Sequence, residues 1–438
     1  MKRHHRTGLL LTALLMLLSL LLTACPAEDD ATTVDPDPEP ADEPEDEPDE
    51  APIDEPEDEP EDEPAAELDG PVQMAFLGSL SGPFAIWGVP TRNGMQLAMD
   101  EINEAGGVLG QDIELLERDD ENNPDEGVTA LRGLVERDEI VAAGGLISSD
   151  VALATARVAE ELEVPLFLVK AGSHRILTPD SRYTFRTCLP AAPMTMEPFA
   201  GFIEEEGITE VGAMIADYEW GHSIREAIEN DIETIEGVEV QYEIAPVPET
   251  DFTTYLRSLE DIDPEILIST GHPPGTAPVT SQSADLGVAD FVTGPMNPQA
   301  VVVDAAGDAA MGRYVDLSCT DPEDPEFIEL AGRYHEEYGE FMEMDAAAGY
   351  AMVHIVAEAI EETGSTDRTA IADYIRGNEF DIPGHGYTLA WTEWGELAQA
   401  NPVLTVLREM EPPEGVNPGA DWYLEVLFRP EPLTPFEP

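Results

Sequence analysis

VQMAFLGSLSGPFAIWGVPTRNGMQLAMDEINEAGGVLG, residues 72–110, contains the first strand and the first helix of the folded region. The apolar run at 72–78 is typical of a buried strand. Residues 92–104 place apolar side chains on one face of a helix, and Gly106-Gly107 ends that helix because glycine adopts the left-handed conformation without strain. The segment therefore predicts a strand–helix unit, the repeating element of an α/β fold.

The same alternation of strand and helix continues along the chain. We predict further strands at 112–117, 139–143, 164–168, 210–215, 238–244, 265–269, 290–293, 386–390 and 403–408, and helices at 125–137, 151–162, 192–205, 220–235, 252–260, 276–286 and through most of 325–378. Such alternation implies parallel sheets covered on both faces. Residues 71–438 give room for two doubly wound lobes, which would bind a ligand in a cleft beyond the carboxyl ends of their strands.

The N-terminus indicates export. Positive charges at Lys2, Arg3 and Arg6 precede an apolar run at 9–22, and Leu22-Thr23-Ala24-Cys25 closes the run with small residues before a cysteine. We interpret residues 1–24 as a signal peptide whose cleavage leaves Cys25 first. The quartet resembles a bacterial lipobox, in which the cysteine thiol receives a diacylglyceryl group. The alternatives are a plain secretory signal and a single membrane anchor helix, for which the run is short.

A second N-terminal segment, residues 26–70, predicts an extended tether. It holds 23 Asp or Glu, 10 Pro and no Lys or Arg. Like charges repel, proline blocks helix, and the segment has little apolar surface to bury, so we expect disorder. With Cys25 lipidated, residues 25–70 would link a membrane lipid to a folded domain at 71–438. A cation-binding or partner-binding tail is the alternative.

The folded region is strongly acidic. Residues 71–438 carry 70 Asp or Glu against 17 Lys or Arg, and Lys170 is their only lysine. A surface so negative repels nucleic acid and anionic lipid, and we interpret it as adaptation to a salty medium that screens the charge. The sequence has no Cys-x-x-Cys pair or Cys/His cluster, so we expect no metal and no cofactor.

Three sequence blocks resemble the branched-chain amino acid binding proteins of ABC transporters. They are Gly78-Ser79-Leu80-Ser81-Gly82-Pro83-Phe84-Ala85-Ile86-Trp87-Gly88, then Asn93-Gly94 with Met99-Asp100-Glu101-Ile102-Asn103-Glu104-Ala105-Gly106-Gly107-Val108-Leu109-Gly110, then Asp119-Asp120-Glu121-Asn122-Asn123-Pro124. Weaker similarity covers the rest of 71–410. The resemblance implies a type I periplasmic binding protein fold: α/β, with two Rossmann-like doubly wound lobes joined by a three-crossover hinge. We expect lobe 1 at about 71–187 and 320–385, and lobe 2 at about 188–319 and 386–438.

The resemblance also implies a ligand site made largely of loops that follow strands. In Gly144-Gly145-Leu146-Ile147-Ser148-Ser149-Asp150, it assigns Ser148 to a ligand carboxylate, with Ser149 close by. In Lys170-Ala171-Gly172-Ser173, Ala171 would contribute backbone and Ser173 its hydroxyl. Hydroxyl and backbone N–H groups at helix starts suit a carboxylate. Helix capping is the alternative role for these serines.

Two tryptophans complete the implied pocket. Trp220, in Asp217-Tyr218-Glu219-Trp220-Gly221, falls where the family places an aromatic ring from the second lobe, and Trp87 would form a wall from the first lobe. An apolar wall receives the side chain of a bound amino acid. The alternative is that both rings belong to the core.

The chain departs from the family where an acid usually pairs with the ligand's ammonium. The family often has Glu after Gly-Pro in the second lobe, whereas this chain has Gly294-Pro295-Met296-Asn297. His272 stands where a tyrosine is expected, and Asp217 and Glu219 are the candidate replacements for the missing acid. The ligand therefore stays open among amino acids, amides, urea-like compounds, aromatic acids and compatible solutes.

Both remaining cysteines are assigned by the resemblance to the crossovers between lobes. Cys188 follows Tyr183-Thr184-Phe185-Arg186-Thr187, which resembles the first crossover, and Cys319 follows Arg313-Tyr314-Val315-Asp316-Leu317, which resembles the second. Crossovers in this fold run side by side, which brings the two cysteines within disulfide range. The alternative is two buried free thiols.

We expect an extracytoplasmic, lipid-anchored, monomeric solute-binding protein that delivers a small solute to an ABC permease. The alternative is a ligand-sensing or assembly protein on the same fold. Neighbouring permease and ATPase genes would favour the first, and sensor or cell-wall genes the second. An exported enzyme is disfavoured because the sequence has no Gly-x-Ser-x-Gly, no His-Glu-x-x-His and no phosphate loop.

Overall fold

The computed structural model describes residues 70–270, 275–294, 299–409, 415–418 and 420–438. Its first lobe starts with five parallel strands in the order β2-β1-β3-β4-β5. The strands are β1 (Val72–Gly78), β2 (Ile113–Asp119), β3 (Ala142–Leu146), β4 (Leu166–Leu168) and β5 (Thr184–Arg186), and the helices between them are α1 (Ala85–Ala105), α2 (Pro124–Arg137) and α3 (Ser149–Leu162). The predicted strand–helix alternation is thus present, with buried apolar residues on every strand.

The second lobe follows the same plan. It contains α4 (Ala192–Glu206), β6 (Glu210–Ala216), α5 (Glu219–Ala227), β7 (Glu239–Ala245), α6 (Thr253–Leu259), β8 (Ile266–Ser269), α7 (Thr276–Leu286), β9 (Phe291–Thr293), α8 (Gln299–Ala306) and β10 (Tyr314–Ser318), with a short π-helix at Ile228–Ile232 and a 3₁₀ turn at Gly307–Ala309. β6 to β10 pair in parallel.

The chain then returns to lobe 1 and afterwards to lobe 2. Helices α9 (Pro325–Tyr338), α10 (Met344–Thr363) and α11 (Arg368–Gly377) pack on the first sheet. Strands β11 (Val403–Glu409) and β12 (Trp422–Phe428) extend the second sheet: β11 pairs antiparallel with β10, and β12 pairs antiparallel with β11. The seven strands of that sheet run β12-β11-β10-β9-β8-β6-β7. The chain therefore crosses three times, after β5, after β10 and before β11, as the fold class requires.

Close packing of α1 on α10 explains the Asn93-Gly94 motif. A Cβ added to Gly94 would lie 1.8 Å from the carbonyl oxygen of Ala346, and one added to Gly349 would lie 2.2 Å from that of Thr91. Only glycine permits these helix backbones to approach so closely. α1 begins at Ala85, earlier than the predicted 92, because Trp87 is buried and holds the first turns despite Pro90.

The expected division into lobes needs one adjustment. Leu389, Trp391 and Leu397 pack in the core of lobe 1 rather than in lobe 2, and the Trp391 indole donates to the carbonyl oxygen of Arg186 at 2.7 Å. The strand predicted at 386–390 is reduced to a single bridge between Phe380 and Leu389. Its side chains cover the first sheet rather than extend the second, so the late part of lobe 2 starts near β11.

Candidate functional site

Ser148 lies in the cleft at the carboxyl end of β3, directly before α3. Its backbone is extended, its side chain makes no capping hydrogen bond, and it is 1% exposed. Its Oγ has no hydrogen-bond partner among the described residues. Buried hydroxyls nearly always have a partner, so this group is a candidate for contact with a bound molecule. The adjacent Ser149 Oγ accepts the backbone N–H of Ser173 at 3.2 Å.

Lys170 follows the neighbouring strand β4 and is 8% exposed. Its backbone N–H donates to the carbonyl oxygen of Leu146, which keeps this loop beside the Ser148 loop. The Nζ atom lies 2.9 and 3.1 Å from the carboxylate oxygens of Asp345, at the start of α10. Burial raises the pKa of Asp345 and the Lys170 charge opposes that rise. The two charges compensate one another inside the cleft.

Trp87 is buried beside Lys170. The Lys170 Nζ lies 5.4 Å from its ring centroid, and Phe84 packs edge-on against it at 5.4 Å. Phe84 in turn contacts Tyr218 of lobe 2, with centroids 6.2 Å apart. Trp87 is 3% exposed, yet its Nε1 has no partner among the described residues. The indole therefore supplies both a core surface and an unpaired donor.

Ala171 and Ser173 were expected to contact the ligand, but their polar groups bond to other residues of the protein. Both carbonyl oxygens accept from the Arg186 guanidinium, at 2.5 and 2.8 Å. Arg186 is fully buried and paired with Glu396 at 2.8 Å. The Ser173 hydroxyl donates to Glu219 at 2.7 Å and accepts from Ser223 at 2.8 Å. Ser173 thus connects the lobes, and the Ala171 carbonyl is already occupied.

Trp220, the aromatic residue expected from lobe 2, packs against lobe 1. A Cβ added to Gly172 would lie 2.3 Å from the indole ring, so only glycine leaves room for this contact. The Trp220 Nε1 donates to the carbonyl oxygen of Thr270 at 3.0 Å. Its ring is therefore fixed from its own lobe and presented to the other one.

A second contact between the lobes involves Glu343, which precedes α10 and is 5% exposed. Its carboxylate accepts the backbone N–H groups of Ala300 at 3.0 Å and Gln299 at 3.3 Å, at the start of α8. Gln299 Nε2 donates to Asp316 at 2.6 Å. Burial raises the pKa of Glu343 to about 8. An ionisable group thus lies directly at the junction of the lobes.

Other predicted residues are distributed as follows. Glu219 connects the lobes, whereas Asp217 is exposed and lies 3.2 Å from His222. Cys188 and Cys319, both buried, form a disulfide with their Cα atoms 5.4 Å apart where the first two crossovers run side by side. Cys25, His272, Met296 and Asn297 lie outside the described residues.

Sequence reasoning missed Asp345, Glu343, Gln299 and Arg186 as parts of the cleft. Asp345 and Glu343 lie in a stretch predicted only as helical, and their partners are far away in sequence. One signal was available for Lys170, because a lone lysine in so acidic a domain is unusual. Its significance depends on Asp345, which sequence spacing does not reveal.

Two further kinds of site are absent from the described part of the chain. No group of three or more His, Cys, Asp or Glu side chains there could hold a metal ion. Nor does any described helix combine the length and apolar character needed to cross a bilayer.

Two α/β lobes that join through three crossovers and enclose a polar cleft are typical of proteins that bind a solute by closing around it. A family model described as periplasmic binding protein matches residues 71–407. The chain therefore belongs to the periplasmic binding protein family and resembles its branched-chain amino acid type. It is a substrate-binding protein of the kind that serves ABC transporters.

The relatives agree with this assignment. The chain is 25% identical over 330 residues to the leucine-, isoleucine-, valine-, threonine- and alanine-binding protein of Pseudomonas aeruginosa, covering 74% of this chain and 87% of that protein. A branched-chain amino acid transporter substrate-binding protein of Streptococcus pneumoniae, solved with isoleucine, has a TM-score of 0.71 at 19% identity and covers 82% of this chain and 100% of its own. A solute-binding protein of R. palustris, solved with benzoate, has a TM-score of 0.72 at 18% identity and covers 84% and 98%.

Proposed function

We propose that this protein is the extracytoplasmic solute-binding component of an ABC importer. It captures an amino acid or a related small solute between its lobes and delivers it to the permease. The observation that carries the proposal is the buried Ser148 hydroxyl after the carboxyl end of β3, which has no partner among the described residues. The named relatives bind branched-chain amino acids, and solved structures of the same fold hold isoleucine or benzoate.

A thermal-shift screen of small solutes in high salt tests this proposal. A solute that binds the native state raises the melting temperature by mass action. We expect at least one amino acid or small organic acid to do so. Trp220→Ala should weaken that binding by about 1–3 kcal/mol, because a buried aromatic wall is lost. A panel in which no solute shifts the native protein would contradict the proposal.

We further propose that Cys25 is lipidated and that residues 26–70 act as a tether. The support is Leu22-Thr23-Ala24-Cys25 after an apolar run, followed by an acidic, proline-rich segment. Cys25→Ser should release the protein from membranes into the soluble fraction. A variant that stays membrane-bound would show that the apolar segment, rather than a lipid, is the anchor.

We also propose that the domain is adapted to salt. Its 70 acidic and 17 basic residues imply strong self-repulsion. The melting temperature should rise between about 0.1 M and molar salt, because the screening length shrinks from roughly 10 Å to 3 Å. An unchanged melting temperature across that range would overturn this proposal without affecting the proposed transport role.

A further inference from the structure

The polar atoms left over in the cleft are hydrogen-bond donors. The Trp87 Nε1–H can only donate, and the Ser148 hydroxyl can donate as well as accept. Both residues are at least 97% buried, and neither atom has a partner among the described residues. Helix α3 begins directly after Ser148, which does not cap it, and the positive end of a helix favours an anion. These groups together suit a ligand oxyanion.

The carboxylates on the lobe 1 side of the cleft, by contrast, already hold cationic or N–H donors. Asp345 accepts from Lys170 with both oxygens, at 2.9 and 3.1 Å. Glu343 accepts two backbone N–H groups at the start of α8. An ammonium group entering the cleft would compete with these bonds rather than satisfy an unpaired acid.

The carboxylates from lobe 2 are occupied too. Asp316 accepts from Gln299 Nε2 at 2.6 Å and from the backbone N–H of Leu317 at 2.9 Å. Glu219 accepts from the Ser173 hydroxyl and from Arg175, at 2.7 and 3.0 Å. The sequences GHPP at 271–274 and PMNP at 295–298, which lie outside the described residues, contain no acid.

Three other acids do not fit a buried ligand ammonium. Asp217 is exposed and lies 3.2 Å from His222, and the other two are Asp150 and Asp120. Asp150, exposed in the first turn of α3, accepts the backbone N–H of Glu219. One carboxylate oxygen of Asp120 has no partner among the described residues. Asp120 follows the edge strand β2, which lies two strands, or about 10 Å, from β3. Its other oxygen accepts from the Ser79 hydroxyl at 2.6 Å.

From this arrangement we infer that the solute is an apolar carboxylic acid without an α-ammonium group. The inference rests on the proposed function and specifies its substrate class. The carboxylate accepts hydrogen bonds from the Ser148 hydroxyl and the Trp87 indole N–H, at the start of α3. The Trp87 and Trp220 rings contact its apolar body. Lys170 adds no net positive charge to the site, because its ammonium is paired with the Asp345 carboxylate.

Calorimetric titration of the full chain in high salt with matched pairs tests the inference. The pairs are 4-methylpentanoate with L-leucine and 3-phenylpropanoate with L-phenylalanine, which differ only in the amino group. Leucinamide, which keeps the ammonium and lacks the carboxylate, is the third probe. We expect at least one deaminated acid to bind ten or more times tighter than its parent amino acid, because a buried ammonium without an acceptor is costly. Leucinamide should not bind.

Each other result has a distinct meaning. If an amino acid binds as tightly as its deaminated partner, or more tightly, the inference is overturned and the proposed transport role stands. If neither pair binds but another solute raises the melting temperature, the inference is again overturned and the transport role stands. If neither the pairs nor the wider solute panel binds, both fail.

Trp87→Phe isolates the indole donor, because it keeps an aromatic wall and removes the N–H. We expect this variant to bind the deaminated acid about ten- to a hundredfold more weakly. Trp394→Phe is the matched control, since its indole donates to the Phe436 carbonyl at 3.1 Å, away from the cleft. Its affinity should equal that of the native protein. Native affinity in Trp87→Phe would overturn the role given to the indole.

Discussion

Two loops lie side by side at the carboxyl ends of neighbouring strands, and their polar groups have opposite fates. In the Ser148 loop, residues 147–149, a buried hydroxyl has no protein partner among the described residues. In the Lys170 loop, residues 169–175, the ammonium, two carbonyls and the Ser173 hydroxyl all bond to other parts of the protein. The two loops therefore differ: the Ser148 hydroxyl has no partner among the described residues, whereas the polar groups of the Lys170 loop bond to both lobes.

The largest expected effect concerns the disulfide between the first two crossovers. Cys188→Ala with Cys319→Ala should lower the free energy of unfolding by roughly 4–5 kcal/mol in the chain-entropy model, because the disulfide closes a very long loop. Chemical denaturation measures the change. In a Cys25→Ser background, thiol titration of unfolded, unreduced protein should detect no free thiol. Two free thiols per chain would refute the bond.

Glu396→Ala removes the partner of Arg186, whose guanidinium holds the Lys170 loop through the carbonyls of Ala171 and Ser173. It leaves Arg186, which is fully buried, without its counter-charge, and should lower the free energy of unfolding by about 3–5 kcal/mol. Urea unfolding measures this. Glu161→Ala, which breaks the exposed pair with Arg132, is the matched control and should leave stability unchanged. Equal effects of the two substitutions would show that the buried pair does not support the loop.

Separate alanine substitutions of Ser148 and Ser173 test the difference between the two loops. On the proposed role of its hydroxyl, Ser148→Ala should weaken solute binding by about 1–3 kcal/mol. It should leave the stability of the unliganded protein intact, since that hydroxyl has no partner among the described residues. Ser173→Ala should lower that stability by about 1 kcal/mol, because Glu219 and Ser223 lose a buried partner. Calorimetry and unfolding curves on both variants separate the effects. Identical profiles would erase the distinction between the loops.

The last expected effect is a pH dependence of stability that comes from Glu343. Its folded-state pKa of about 8 lies above its ordinary value of 4.5, so between these pH values the folded state keeps a proton that the unfolded state has lost. This group's contribution to stability is fully present below about pH 4.5 and is lost as the pH rises to about 8, by at most about 1.4 kcal/mol per pH unit. Lys170 and Asp345 also act on this carboxyl group.

Glu343→Gln should remove that part of the pH dependence. The difference in unfolding free energy between variant and native protein, measured at pH 5 and pH 8, should move in favour of the variant at the higher pH. A difference that does not change with pH would show that the group does not titrate in this window.

Local patterns predicted much of the fold and only part of the cleft. Strand–helix alternation and the Gly106-Gly107 stop depend on neighbouring residues, and both are present. The Ser148 loop was located because it follows a recognisable strand. The contact between Lys170 and Asp345 joins residues 175 positions apart, and no periodicity reports on such a pair. Periodicity also does not assign residues 389–397 to a lobe, because their apolar pattern fits either one. Strand β12 was not predicted.

A crystal structure of the chain bound to the carboxylate that binds most tightly tests the central claim most directly. The account predicts a single solute between the lobes, with its carboxylate within hydrogen-bonding distance of the Ser148 Oγ and the Trp87 Nε1 and its body between the Trp87 and Trp220 rings. A solute bound outside the cleft, or one whose carboxylate contacts neither atom, would contradict it.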